Sequence, residues 1–547
     1  MPEPLPRETM RARAQAIGLT DRWQVGAVLG IIVIIAAVIR VAGTRFGFPL
    51  LLHPDEWAVV KGVVDMARRN SFEPPWSLRP DHVEMKVDYL LFAVLATLKG
   101  GSIEALFAQD PLPFYWLARL VTAACGVATV GVAFLVGARW SRSVGLVAAA
   151  LFALFPPFVA NAYFATPDVP LTLTLLLMTY ALMRYLDSTS WASLLWASFL
   201  VAIAVGIKYP GGVGTLMIAI VVVVAAVRDR AWLRLVTHGA GSAAAFVAFL
   251  FVISPTLFTD LSGVRRELKV QAAGGRLGNP DLGLLGNLQF YVTSYVDSTG
   301  LVLAVLALAG VAIAVSRRRL EVLPWLGGLL VWVSLSTLPM TWERWGLPMW
   351  VTPLLFASVG LGTLIERLQG SRFRWVSAVV VAVVLANLAS GAARELAGRM
   401  APDTRQEALA EARADGITRT NSVYEGYTPF IPGDPAFFFE QVERRDGGYT
   451  FTTLGKKPAT YAVLSSAMYQ RVFTDPAYFK EARVYRWIFA NGKLIEQFEP
   501  SGVGARSKLE PVNVVRNLRF VAAVAGGAMT GPVIRIYEMP TTTTADS

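Results

Sequence analysis

WQVGAVLGIIVIIAAVIRV, residues 23–41, is an apolar run broken only by Gln24 and Arg40. It is close to the ~20 residues that an α-helix needs to cross a bilayer. No small-residue cleavage site follows it, and it exceeds the ~7–15-residue apolar core of a secretion signal, so it reads as a retained membrane helix. About ten residues further on stands Leu51-Leu52-His53-Pro54-Asp55-Glu56-Trp57. Two adjacent acids just past a membrane exit need a reason, because charge near a bilayer is costly.

The rest of the chain repeats the first run. Of its 547 residues, 54% are hydrophobic and 16% charged, against roughly 25% charged in soluble domains. The net charge of +11 is carried in short basic clusters between apolar runs. That is the pattern of positive-inside topology and not of a nucleic-acid-binding face. The single cysteine, Cys125, excludes an intrachain disulfide.

Arg7, Arg11, Arg13 and Arg22 place the N-terminus in the cytoplasm. With the later arginine clusters also inside, the apolar runs at 23–43, 112–137, 144–163, 169–186, 191–207, 211–228, 238–255, 298–316, 321–339, 347–366 and 374–392 alternate across the membrane. The expected fold is an α-helical polytopic membrane protein of about 11 transmembrane helices, spanning 1–392, with a first external loop at 44–111. Residues 88–108 are broken by Lys99-Gly100-Gly101 and read as a surface or shallow re-entrant helix. Residues 256–297 read as an external loop. The tail, 393–547, is mixed in composition, with strand-like Thr460-Tyr-Ala-Val-Leu-Ser-Ser and Pro532-Val-Ile-Arg-Ile-Tyr-Glu. It reads as a separate extracytoplasmic α/β domain.

On this topology the ionisable residues gather on the outer rim: Asp55 and Glu56, Glu84 and Lys86, Asp168, Lys208, Glu343 and Arg344. No nucleotide-binding loop, serine elbow or zinc-helix motif occurs, and three histidines (His53, His82, His238) are too few for a His-built metal centre. An enzyme working outside, without nucleotides, needs a donor already activated and delivered through the membrane. A sugar on a polyprenyl phosphate meets that demand. An acceptor hydroxyl then requires a carboxylate base, for which Asp55 and Glu56 both qualify. The departing phosphate requires cations, for which Lys208, Lys86 and Arg344 qualify. Asp168 can steer the acceptor, or share a divalent cation such as magnesium or manganese with Asp55 or Glu56; it can also simply cap the next helix. Trp57, Trp342, Trp345 and Trp350 read either as sugar platforms or as interfacial belt residues.

His53-Pro-Asp-Glu-Trp, Thr166-Pro-Asp-Val-Pro, Gly206-Ile-Lys-Tyr-Pro and Glu343-Arg-Trp-Gly-Leu-Pro, in this order, resemble the GT-C glycosyltransferases. The nearest resemblance is to the protein O-mannosyltransferase and aminoarabinose transferase branch, which depends on phospholipid carriers. The resemblance implies an inverting transferase with Asp55 as catalytic base and Glu56 in support. It implies Asp168 as the second external acid, Lys208 near the lipid phosphate, and Lys86 near it too. His53 and Glu343 are expected as supporting neighbours. After Lys86 the chain has Val87-Asp88 where the family commonly has two prolines, and the first loop has no Asp-x-Asp, which lowers the expectation of an obligatory metal. The expected partners are a polyprenyl-phosphate-linked sugar, a glycan, lipid or protein acceptor, and membrane lipids, with no nucleic acid. The Ala/Val/Arg-rich composition suggests a bacterial inner membrane. The alternatives are a polytopic transporter or lipid flippase, which would carry mid-membrane charges and broken helices, and a membrane anchor that displays the tail.

Overall fold

The computed structural model describes residues 22–75, 81–272, 282–434, 436–445, 448–501 and 514–540. All eleven apolar runs are helical there. Seven helices are long and apolar enough to cross a membrane: Arg22–Ala42, Leu112–Ala138, Asp168–Ser188, Tyr209–Arg228, Trp232–Ile253, Glu343–Leu368 and Arg374–Met400. Arg142–Leu154, Trp191–Ile207 and Leu320–Ser336 are shorter apolar helices, and two bent pairs bring the described spans to as many as nine. Ile31, Ile34, Val252, Leu301 and Leu308 lie exposed on the outside of the bundle. Helices apolar on every face are built for a lipid surround. The chain is a multi-pass membrane protein.

Three of the expected segments differ. The run 144–163 is not one helix: Arg142–Leu154 stops at Phe155, and Pro156–Asn161 forms a separate short helix. Pro156 offers no N–H and forces Phe155 out of the helical region (φ −62°, ψ 112°). The region 256–297, read as a loop, contains the helices Leu261–Ala272 and Gly283–Thr299. In the second of these, Asn287, Tyr291, Ser294, Tyr295 and Ser298 form a buried face at helical spacing. Their polarity hides the helix from a hydropathy reading. The last apolar run ends near residue 392, but its helix continues to Met400 and carries Arg394, Glu395 and Arg399 clear of the apolar part.

The segment 44–111 has its own core. Glu56–Arg68, His82–Lys99 and Ile103–Gln109 pack around Val59, Val63, Met85, Phe92 and Phe114. The last two of these helices meet at 78°, at Gly100, whose φ of +67° suits a residue without a side chain. Two buried arginines pin the bundle. Arg40 donates to the carbonyls of Phe152 and Ala153, at 2.9 and 3.0 Å, where a helix end leaves them unpaired. Arg119 does similar work at the loop and is described below.

The tail is α/β. Strands β1 (Ser422–Tyr424), β4 (Tyr461–Ser465), β5 (Lys493–Phe498) and β6 (Ile534–Glu538) form a sheet in the order β1-β4-β6-β5. β1 and β4 are parallel; the other pairs are antiparallel. A small hairpin, β2 (Val442–Arg445) with β3 (Gly448–Phe451), stands apart. Helix Val514–Ala525 returns to the bundle, where Asn517 donates to Ser390 and Phe520 lies under Arg394.

Candidate active site

Asp55 sits at the N-cap position of helix Glu56–Arg68, but its side chain makes no capping bond. The carboxylate turns instead into a cavity of about 1060 Å³ and meets Arg344, with Oδ2 2.5 Å from Nη1. The backbone N–H of Asp55 donates to Nδ1 of His53 at 3.2 Å, and the His53 ring packs on Phe164 at 4.1 Å. Burial pushes His53 down to about 4, with Glu56 opposing and Arg344 assisting. A neutral ring with a free Nδ1 lone pair is what that backbone bond requires.

Asp168 opens helix Asp168–Ser188, where the helix dipole favours a carboxylate. It is buried and makes no cap; Lys208 holds its Oδ1 at 2.6 Å. Arg344 approaches the other oxygen at 3.7 Å. Lys208 ends helix Trp191–Ile207, at a turn tight enough that a side chain on Gly211 would collide with the Ala204 carbonyl. Its ammonium lies 5.1 Å over Trp345. Burial lowers the Lys208 pKa, and Asp168 partly restores it. Two acids and two bases from four separate segments thus meet at one end of the bundle, with Trp342, Glu343 and Trp345 beside them on the cavity wall.

Other expected residues lie elsewhere. Glu56 does not reach the cavity. Both of its oxygens engage Arg119, at 2.7 and 2.8 Å, neither side chain is exposed, and the Ala165 N–H adds a bond at 3.0 Å. Lys86 is also absent from the cavity wall: it pairs with Glu73 at 2.8 Å and with the Ile253 carbonyl at 2.9 Å. Trp350 is buried, bonds to the Tyr291 carbonyl and packs on Phe155, while Trp57 is half exposed on the lip helix, Glu56–Arg68, which follows the cavity lip at residues 52–55. A cation shared by Asp55, Glu56 and Asp168 does not fit, because Glu56 is spent on Arg119. Among the described residues, only Glu411, Asp415 and Glu496 in the tail bring three such groups within 4.8 Å of one another.

The far wall of the cavity is formed by residues that the sequence did not single out. Arg394 and Arg399 come from the last bundle helix, and Arg405, Tyr427, Phe437, Gln470 and Arg471 from the tail. No local pattern marks them; the tail's fold delivers them. Arg119 did carry a signal, as a charge inside an apolar run.

Residues 114–257 match the family described as dolichyl-phosphate-mannose-protein mannosyltransferase. The matched stretch contains Asp168 and Lys208 and begins after Asp55. Over 95% of this chain and 89% of its own, the oligosaccharyltransferase of Archaeoglobus fulgidus shares the fold at 10% identity, with a TM-score of 0.55. The chain shares the fold of that oligosaccharyltransferase, and its matched stretch resembles the mannosyltransferase family. Two further solved structures are similar to this chain at lower scores. ArnT from Cupriavidus metallidurans, bound to undecaprenyl phosphate, is 17% identical over 70% of this chain and 71% of its own, at a TM-score of 0.46. The mycobacterial arabinofuranosyltransferase AftD is 15% identical over 95% of this chain and 40% of its own, at 0.40. No curated protein matches the sequence.

Proposed function

We propose that this GT-C protein transfers a sugar, with inversion, from a polyprenyl-phosphate-linked donor to an acceptor hydroxyl on the outer face of a bacterial plasma membrane. In this reading the bundle is the catalytic domain and the tail an extracytoplasmic domain. The observation that carries it is the linked quartet in which Asp55, Arg344 and Lys208 line the cavity and buried Asp168 holds Lys208 from behind. Asp55 takes the proton of the acceptor hydroxyl, whose oxygen attacks the anomeric carbon from the side opposite the phosphate. The carbon–oxygen bond to phosphate breaks, and the electron pair passes to the phosphate. Lys208 and Arg344 hold that charge as preorganised cationic donors.

Without substrate, the two acids neutralise the two bases. An arriving phosphate competes with Asp55 for Arg344, so donor binding frees the base it will need. Asp168 keeps Lys208 charged and in place. Purified protein in nanodiscs, given a labelled undecaprenyl-phosphate sugar and a solubilised envelope fraction, should form labelled product. An Asp55→Asn variant that transfers as fast as the parent would refute the base assignment.

A further inference from the structure

We propose that the tail wall of the cavity, built on Tyr427, Gln470 and Arg471, is an acceptor subsite for a glycan chain; this rests on the reading of Asp55 as the base. Tyr427 stands in the left-handed region (φ +57°), which a bulky residue seldom adopts. Its N–H is held by the Ile431 and Asp434 carbonyls, each at 3.1 Å. A side chain on Gly426 would overlap the Asp434 carbonyl. The loop therefore fixes the backbone from which the ring projects, and strain of this kind persists where the surroundings enforce it, often at binding sites.

The ring faces helix Ser466–Thr474. Ala467, Gln470 and Arg471 lie on one face of that helix and on the cavity wall. The Arg471 guanidinium is 5.1 Å from the Tyr427 ring centre and has no carboxylate partner among the described residues. A rigid aromatic ring beside planar donors suits a sugar, whose C–H face packs on the ring while its hydroxyls take the N–H groups.

The spacing to the reacting centre is fixed by the same loop. At Gly433 a side-chain carbon would lie 2.5 Å from the Leu51 carbonyl oxygen and 3.2 Å from that of His53, so the loop rests directly on the lip that carries Asp55. Arg405 donates to the Pro432 carbonyl at 3.0 Å, and its neighbour Gln406 donates to the Phe48 carbonyl at 3.0 Å. One clamp holds both the loop and the lip. A peptide acceptor docking by strand addition would need a free sheet edge, and no residue of β1–β6 lines the cavity.

The test titrates the solubilised envelope fraction of a strain lacking this protein as acceptor, with a labelled undecaprenyl-phosphate sugar as donor. Tyr427→Gly relieves the backbone strain while removing the ring, and Arg471→Gln alters only the half-buried side chain beside that ring. Each should raise the acceptor KM at least tenfold, leaving the donor KM and the slow hydrolysis of donor by water unchanged. Periodate treatment of the fraction should destroy acceptor capacity, and protease treatment should not. An active wild type with an unchanged acceptor KM in both variants overturns the subsite alone. So does acceptor capacity that protease removes and periodate spares. A wild type that transfers nothing overturns the transferase reading and the subsite with it.

Discussion

Glu56 and Arg119 form a two-pronged ion pair, completely enclosed, between the lip helix and helix Leu112–Ala138. Arg119 also donates to the carbonyls of Thr44 and Phe46, and Glu56 accepts from Ala165, three residues before Asp168. One buried pair thus ties together the segment leading to Asp55 and the segment leading to Asp168. Breaking such a pair by removing one partner costs about 3–5 kcal/mol, because the other charge is left stranded. Glu56→Gln should lower the melting temperature measured in detergent and lose activity in step with folding. A variant that melts with the parent yet transfers nothing would instead make Glu56 part of the chemistry.

Asp55→Asn should keep the fold and lose transfer by about 10²–10⁴-fold, the usual range for a positioned base. It should bind undecaprenyl phosphate at least as tightly as the parent, since Arg344 is released. Weaker lipid binding, measured by microscale thermophoresis, would count against the competition between Asp55 and phosphate for Arg344.

Arg344→Gln and Lys208→Gln should each weaken undecaprenyl-phosphate binding. A charge-assisted hydrogen bond is worth about 1.5–3 kcal/mol, roughly ten- to a hundredfold in Kd. Lys86→Gln should leave that affinity within about twofold, because Lys86 is engaged by Glu73 and Ile253 outside the cavity; the factor is a rough bound for a group making no ligand contact. Equal losses in all three variants would place Lys86 at the phosphate.

Glu425 is buried beneath the loop that carries Tyr427, accepting bonds from Tyr485 and from the Ser465 N–H. Burial raises its pKa to about 8, with those two bonds opposing. The folded tail therefore holds a proton that the unfolded chain, near 4.5, releases. The stabilisation is full below pH 4.5 and is lost as pH rises through about 8. His53 runs the other way, its contribution fading as pH falls from 6.5 toward 4. Subtracting the Glu425→Gln melting curve from the parent's isolates the first effect. A difference that does not change between pH 5 and 8 would contradict it.

Asp55→Cys, in a Cys125→Ala background, should be labelled by a membrane-impermeant maleimide in intact cells. Protection from the reagent would place the cavity on the cytoplasmic side.

Legibility in the sequence followed the cost of charge beside apolar runs. Asp55, Asp168, Lys208 and Arg344 were all visible as ionisable residues at the ends of apolar runs; the structure brings Asp55, Lys208 and Arg344 to one cavity and buries Asp168 against Lys208. Adjacency misled at Glu56, because one residue of helical rotation takes its side chain from the cavity into the packed interior. Lys86, in the same loop, is engaged by Glu73 and the Ile253 carbonyl away from the cavity wall. The helix Gly283–Thr299 was hidden because its buried face is polar. The tail wall was illegible, since Tyr427 and Arg471 meet Asp55's cavity only through the sheet and its loops.

The contact at Gly433 joins backbone to backbone, with no side chain between the tail loop and the residues leading to Asp55. Side chains at most joints act as compressible padding, and this joint has none. Any tilt of the tail must then either lift off the lip entirely or carry it along, so the distance from acceptor wall to base behaves as a fixed gauge. Exchanging tails between related chains would change that gauge even where every lining residue was kept.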